Sequence, residues 1–153
     1  MSEEELRHET EHIGLYFDRL GIPPLAGRVV AYLMISHPPH RTFDEIVDHL
    51  QASKSSVSNA LKMLEQFELI SYRTFPGDRR RHFRVAPEKW ISLIRVTDKI
   101  RTMIEMFKHV LEVRDEQDEE LNPSIRETLS MYRYFEVEIP RLLSRWEEDK
   151  KKR

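Results

Sequence analysis

Cysteine is absent from these 153 residues, which removes disulfides, thiolate nucleophiles and cysteine-based zinc fingers together. Glycine is scarce, at four residues, so the turn-dense architectures of barrels and sandwiches are poorly served. No apolar run approaches the ~18 residues that would span a bilayer. The start, Met1-Ser2-Glu3-Glu4-Glu5, is acidic where a secretory signal would be basic and then apolar, so a cytoplasmic protein is expected. What is present is charge, at 34%, and enough hydrophobic residues, at 39%, for one ordinary core. That composition predicts a helix-rich, non-membrane protein.

The net charge of −2 is unevenly spread. Residues 1–20 hold two basic and six acidic side chains, whereas residues 53–84 hold seven basic and three acidic. Phosphate binding depends on local potential rather than on the total, so the second segment is the candidate contact region.

Hydrophobic spacing predicts a first helix over 4–20, with Leu6, Ile13, Phe17 and Leu20 on one face. Gly21 and Pro23-Pro24 end it. A second helix over 25–36 buries Val29, Val30, Leu33 and Met34, and Pro38-Pro39 stops it. The intervening His37 to His40 stretch reads as a solvent-exposed loop. Thr42-Phe43-Asp44-Glu45 matches a capping box, in which the Thr42 hydroxyl and the Glu45 carboxylate each satisfy a free amide. The helix it opens carries Phe43, Ile46, Val47 and Leu50 as its apolar face. Gln51-Ala52 allows only a tight turn, and Ser53 caps a fourth helix over 53–67. The period then falls to about two: strands are expected over 69–74 and 81–85, with the turn over 75–80. Pro87 opens a largely helical remainder. There Trp90, Thr97, Ile104 and Leu111 lie seven apart with Leu93, Ile100 and Phe107 between them. After an acidic break at 115–120, Asn122-Pro123 starts a last helix in which Ile125, Tyr132, Ile139 and Trp146 repeat the spacing, with Thr128, Phe135 and Leu142 between. Pro140 is expected to kink or restart it.

The expected fold is therefore mainly α with a small β-hairpin wing. An N-terminal helix (1–21) serves packing or dimerisation, a winged helix-turn-helix spans 22–86, and a helical dimerisation region fills 87–153. In the fourth helix Val57, Ala60, Leu61 and Leu64 form the buried stripe. Ser55, Asn59 and Lys62 face the other way, flanked by Lys54, Ser56 and Ser58. Small polar residues over two turns let a helix enter a major groove, and its N-terminal amides suit a phosphate. Arg79, Arg80 and Arg81 repel one another unless something anionic answers them, and such a tip suits phosphates or a narrow minor groove. Asp78 can hold a neighbouring arginine in one orientation.

Three stretches carry a resemblance. Ile22-Pro23-Pro24-Leu25-Ala26-Gly27-Arg28, then Ala52-Ser53-Lys54-Ser55-Ser56-Val57-Ser58-Asn59, then Phe75-Pro76-Gly77-Asp78-Arg79-Arg80 resemble the GbsR-type branch of the MarR transcriptional regulators. The resemblance covers roughly residues 10–90 by motif and the rest by helical layout. It implies a homodimeric winged-helix repressor on a pseudo-palindromic DNA operator, released by a small-molecule effector or another signal. The family's Asp-x-Arg wing pattern falls on Asp78 and Arg80, implying that Arg80 reaches the minor groove and Asp78 steadies it; Arg79 and Arg81 stay open as alternatives. Choline-like cations are one effector option for an aromatic cage, and Tyr16, Tyr32, Trp90, Tyr132 and Phe135 are available for a pocket or, at helical spacing, for the core.

Two other readings compete. His8-Glu9-Thr10-Glu11-His12 matches the H-E-x-x-H pattern of zinc metalloproteases, where one helix face presents two histidines and a general base. A catalytic site would need a third ligand and a cleft, and the pattern has only three fixed positions. Neither a resident metal nor a cofactor is therefore expected. A winged helix used for protein contacts is the second alternative. The Lys150 to Arg153 run is a favourable charge at a helix C-terminus.

Overall fold

The computed structural model describes residues 1–90, 93–117 and 119–153, apart from the side chains of 93–95. Asp118 of the acidic break and the Leu93 side chain of the heptad stripe lie outside the described residues. The chain forms two compact units, residues 1–90 and 91–153.

The first unit is built on α2 (Pro24–Ile35), whose Ala26, Val29, Val30, Ala31, Tyr32 and Leu33 are all buried. α1 (Glu3–Arg19) packs along it. The two backbones meet at Gly27, where an added Cβ would come within 2.8 Å of the Phe17 Cβ. Arg28 then reaches over Gly14 to bond Asp18 at 2.6 Å and Glu11 at 3.0 Å, tying the pair. Ser2 and Glu5 form a capping box at the start of α1 that the sequence reading passed over, although the S-x-x-E signature is present.

The Thr42–Glu45 box opens α3 (Phe43–Leu50) as expected, and Ser53 caps α4 (Lys54–Gln66). Between them Gln51 takes a left-handed conformation (φ 51°, ψ 36°), which makes the connection short. Strand β1 (Arg41–Thr42), not anticipated, joins β2 (Ile70–Phe75) and β3 (Asp78–Val85) in an antiparallel sheet of order β1-β3-β2. Two residues give too little periodicity to reveal β1 in sequence; it exists because the chain entering α3 lies beside Phe83 and His82. The wing also begins earlier than expected. Phe75 pairs with Asp78, so only Pro76-Gly77 form the turn, and Arg79 and Arg80 lie in the strand. Proline followed by a glycine at φ 80° is the chemistry of a tight type II turn.

Three further expectations are corrected. Leu20 is 73% exposed, because as the C-cap it has left the helical wheel that would turn it inward. Met34, in the last turn of α2, is 45% exposed, and Tyr32 fills the core instead. Trp90 lies in α5 (Pro87–Trp90), and its side chain packs within the first unit rather than heading the next stripe. Its indole N–H donates to the Leu69 carbonyl at 3.0 Å, and its ring meets Phe17 edge-on.

The second unit is a helix pair, α6 (Leu93–Val113) and α7 (Asn122–Lys151). Ile100, Ile104 and Leu129 are its buried centre, with Val96, Phe107, Leu111, Tyr132, Phe135 and Ile139 packed around them. The buried Asn122 side chain accepts from Arg114 Nε at 2.8 Å and donates to the Asp115 carbonyl at 2.7 Å, fixing the connection. α7 runs through Pro140 without restarting. Among the described residues no helix is long and apolar enough to cross a membrane.

Candidate nucleic-acid interface

α4 is amphipathic by design of its sequence. Val57, Ala60, Leu61 and Leu64 are buried, which fixes the helix rotation and turns Lys54, Ser55, Ser56, Asn59 and Lys62 to solvent; Ser58 is half-buried on the flank. The Ser53 hydroxyl accepts the Ser56 amide at 3.1 Å and donates to the Ser56 hydroxyl at 2.7 Å. Ser56 thus keeps its own hydroxyl proton for an outside acceptor. Where α1 and α3 place three and two acidic residues in their first turns, α4 has none and begins with Lys54. The positive end of its dipole is left unanswered, as an anion site requires. The Asn59 side chain is exposed and makes no hydrogen bond to another described residue, so both halves of its amide are unused.

The wing's geometry follows from strand alternation. Asp78, Arg80 and His82 share one face of β3, and Arg79 and Arg81 share the other with Phe83. Asp78 accepts from the Arg80 amide at 2.9 Å, from Arg80 Nε at 3.0 Å and from Arg80 Nη2 at 2.8 Å. His82 Nε2 lies 2.9 Å from the same carboxylate. These bonds, from Arg80 first and then His82, hold the Asp78 carboxyl well below the usual carboxylate range. The Arg80 guanidinium is therefore aimed by a fork contact, with its remaining N–H groups still facing solvent.

Its neighbours differ. Arg81 lies over the Tyr72 and Phe83 rings, 5.0 and 5.1 Å from their centroids, with Glu65 of α4 at 3.7 Å. It braces the hairpin against α4. Arg79 is exposed, and no hydrogen bond or ion pair joins its side chain to the other described residues. The structure brings Asp78, Arg80 and His82 together; it does not gather the three arginines into one cluster.

Behind this face lies a support the sequence reading missed. Phe75 is the hub: Arg73 covers it at 4.8 Å, His40 approaches at 5.0 Å and His82 meets it edge-on at 4.7 Å. His40, expected in an exposed loop, is half-buried there, while His37 is exposed as expected. Burial, with Arg73 and His82 adding to it, holds the His40 imidazole below its ordinary value. The signal for His82 was available, since residues 78, 80 and 82 alternate onto one face.

The remaining candidates resolve as follows. Tyr32 is buried and stacks on His49 with ring centroids 3.8 Å apart, while Tyr16 is exposed. Tyr132 and Phe135 belong to the α6–α7 core. His8 and His12 are both exposed, and among the described residues no third ligand joins them.

Residues 20–81 match the sequence profile of the MarR family, and residues 89–149 match that of MmpR5-like MarR family transcriptional regulators. The HTH-type transcriptional regulator MmpR5 of Mycobacterium tuberculosis is 31% identical over 105 residues, which is 69% of this chain. The match spans 62% of that relative's length. A crystal structure described as a transcriptional regulator superposes over 94% of this chain and 99% of its own, at 25% identity and a TM-score of 0.76.

Proposed function

Because this chain belongs to the MarR family of transcriptional regulators, we propose that it binds operator DNA as a homodimer, with α4 in the major groove and the wing on the minor groove or backbone, and acts as a repressor. Family membership removes the metalloprotease reading. The observation that carries the proposal is the pairing of two outward cationic elements on one small unit. One is a helix N-terminus with Lys54 and no acid, and the other is an Arg80 guanidinium aimed by Asp78. Lys54, Ser55, Ser56, Ser58, Asn59 and Lys62 are the helix contacts, and Arg79 and Arg80 the wing contacts. Arg81, braced over Tyr72, supports the wing and touches the backbone at most. Pro23-Pro24, Gly27-Arg28 and Gly77-Asp78-Arg79 support a place in the GbsR-type branch, with the MmpR5-like match of 89–149 as the rival placement. An open, largely apolar cleft of about 570 Å³ between Val96, Ile100, Met103 and Tyr132, edged by Asp98 and Lys99, supports a small amphipathic effector. Residues 1–21 and 22–86 act as one reading unit and 87–153 as the dimerisation region, in the compartment that holds the DNA.

The test is duplex binding across a salt series. Each neutralised phosphate releases condensed counterions, so log affinity should fall linearly with log salt, by about 0.9 for each. With Lys54, Lys62, Arg79 and Arg80 contributing from each subunit, the expected slope is steep. A flat response between low and physiological salt would leave a protein-contact module as the better reading.

A further inference from the structure

We propose that His8 and His12 form a surface site for one divalent transition-metal ion of the zinc or copper class, separate from the DNA-contacting face. The two side chains lie one turn apart on α1, 78% and 57% exposed, with ring centroids 6.4 Å apart. Between them stands Glu9. Its Oε1 is 3.2 Å from His8 Nδ1 and its Oε2 is 3.6 Å from His12 Nδ1. A carboxylate only accepts, so the 3.2 Å contact favours the proton on Nδ1 of His8 and leaves that ring's Nε2 lone pair free, with the His12 ring one turn away beside the same carboxylate. That tautomer, with a carboxylate behind the ring, is how metal-binding imidazoles are prepared.

The geometry also limits the ion. Two imidazole nitrogens at about 2.0–2.1 Å from one tetrahedral metal bring the ring centroids to roughly 5 Å, so the exposed rings close by about 1 Å through rotamer adjustment alone. Glu11, on the same shallow surface with Leu15, is bonded by Arg28 at 3.0 Å and would have to give up that pair to join the ion. The ion therefore takes two protein ligands and completes its shell with water. Imidazole nitrogen with few other donors selects copper, nickel and zinc over magnesium or calcium. Glu9, which occupies the general-base place of the H-E-x-x-H pattern, stands behind the ligands and orients them. Bound metal would span one turn of α1, whose other face buries Gly14 and Phe17 against α2 and Thr10 against His49 of α3, and so stabilise the folded unit by mass action.

The experiment is calorimetric titration of the tag-free 153-residue chain with zinc chloride, paired with thermal melting with and without zinc. One ion per chain is expected, with a higher melting temperature that a chelator reverses. His8→Gln and His12→Gln should each weaken binding at least tenfold, and Glu9→Gln by ten- to a hundredfold through loss of orientation. His37→Gln should change nothing. All four positions are on exposed or partly exposed surface, and circular dichroism verifies each fold. Equal zinc affinity in the wild type and the His8→Gln/His12→Gln double variant would overturn the proposal, as would no binding at 100 µM zinc. DNA binding plays no part in the readout, so its failure would leave this result standing.

Discussion

His49 shows how far a single residue can lie from what its sequence neighbourhood suggests. It sits near the end of α3 on a helix whose apolar pattern does not include it, yet it is buried. Its ring stacks on Tyr32, its Nε2 lies 3.0 Å from the Thr10 hydroxyl, and Glu3 stands 3.2 Å from Nδ1. The Thr10 hydroxyl also lies within hydrogen-bond reach of the Leu6 carbonyl. Arg7 donates to the His49 carbonyl at 2.8 Å. One histidine thus ties α1, α2 and α3 together, through partners 17, 39 and 46 positions away in sequence that no local pattern could reveal. Burial holds the His49 imidazole below its ordinary value, with Glu3 opposing. The folded chain therefore binds this proton more weakly than the unfolded chain does. Its contribution to stability is complete above the unfolded pKa of about 6.5 and is lost as pH falls from there toward the folded value. Urea unfolding should show stability declining between pH 7.5 and 5.5, with a shallower decline in His49→Gln, even though that variant starts lower through loss of the stack. His40 shifts in the same direction and accounts for part of what remains. An identical pH slope in the wild type and His49→Gln would refute the assignment.

At the scale of the element, legibility followed periodicity. Capping boxes, the α4 stripe and the order helix, tight turn, helix, hairpin could be read because each depends on residues within four positions of one another. The wing's register could not, because it depends on a cross-strand pairing. Phe75 opposite Asp78 pulls Arg79 and Arg80 into β3 and sets the alternation that separates Arg80 from Arg79 and Arg81. The consequence is a division of labour between elements. Asn59 is on the exposed face of α4, two turns in, where an amide can pair with adenine through donor and acceptor and discriminate by ~1–3 kcal/mol. Arg80, aimed by Asp78, is proposed to act through charge. Asn59→Ala should lower operator binding and leave scrambled duplex nearly unchanged. Arg80→Ala should weaken both and reduce the salt slope by about one unit per lost phosphate contact. Titration of each variant against the two duplexes decides it: equal weakening by Asn59→Ala would mean the helix does not read bases at that position.

For the whole molecule, the question is what the seven-residue stripes are for. α6 has 21 residues and α7 has 30, so at 1.5 Å per residue α7 is longer by about 14 Å. Leu129, Tyr132, Phe135 and Ile139 pack with α6, and the stripe then continues through Leu142 and Trp146, which join no apolar cluster among the described residues; Lys150 Nζ lies 5.3 Å from the Trp146 ring centroid. Leu142 and Trp146 are 57% and 59% exposed, and Met131, Tyr134 and Val137 add further apolar surface along α7. An apolar stripe that outlasts its partner helix is what a second copy would cover, and a two-fold operator asks for the same symmetry. The sequence made the stripe legible but not its partners, because spacing alone does not say which half of it a neighbouring helix already covers. Sedimentation at micromolar concentration should give a species of twice 18.4 kDa. Leu142→Asp with Trp146→Asp should shift it to the monomer while circular dichroism stays unchanged, since among the described residues neither side chain is in a core. Operator affinity should then fall by far more than affinity for a single half-site, because the loss is of linkage rather than of contacts. A wild-type chain that sediments at 18.4 kDa, or a double variant that remains dimeric, would place the dimer surface elsewhere or remove it.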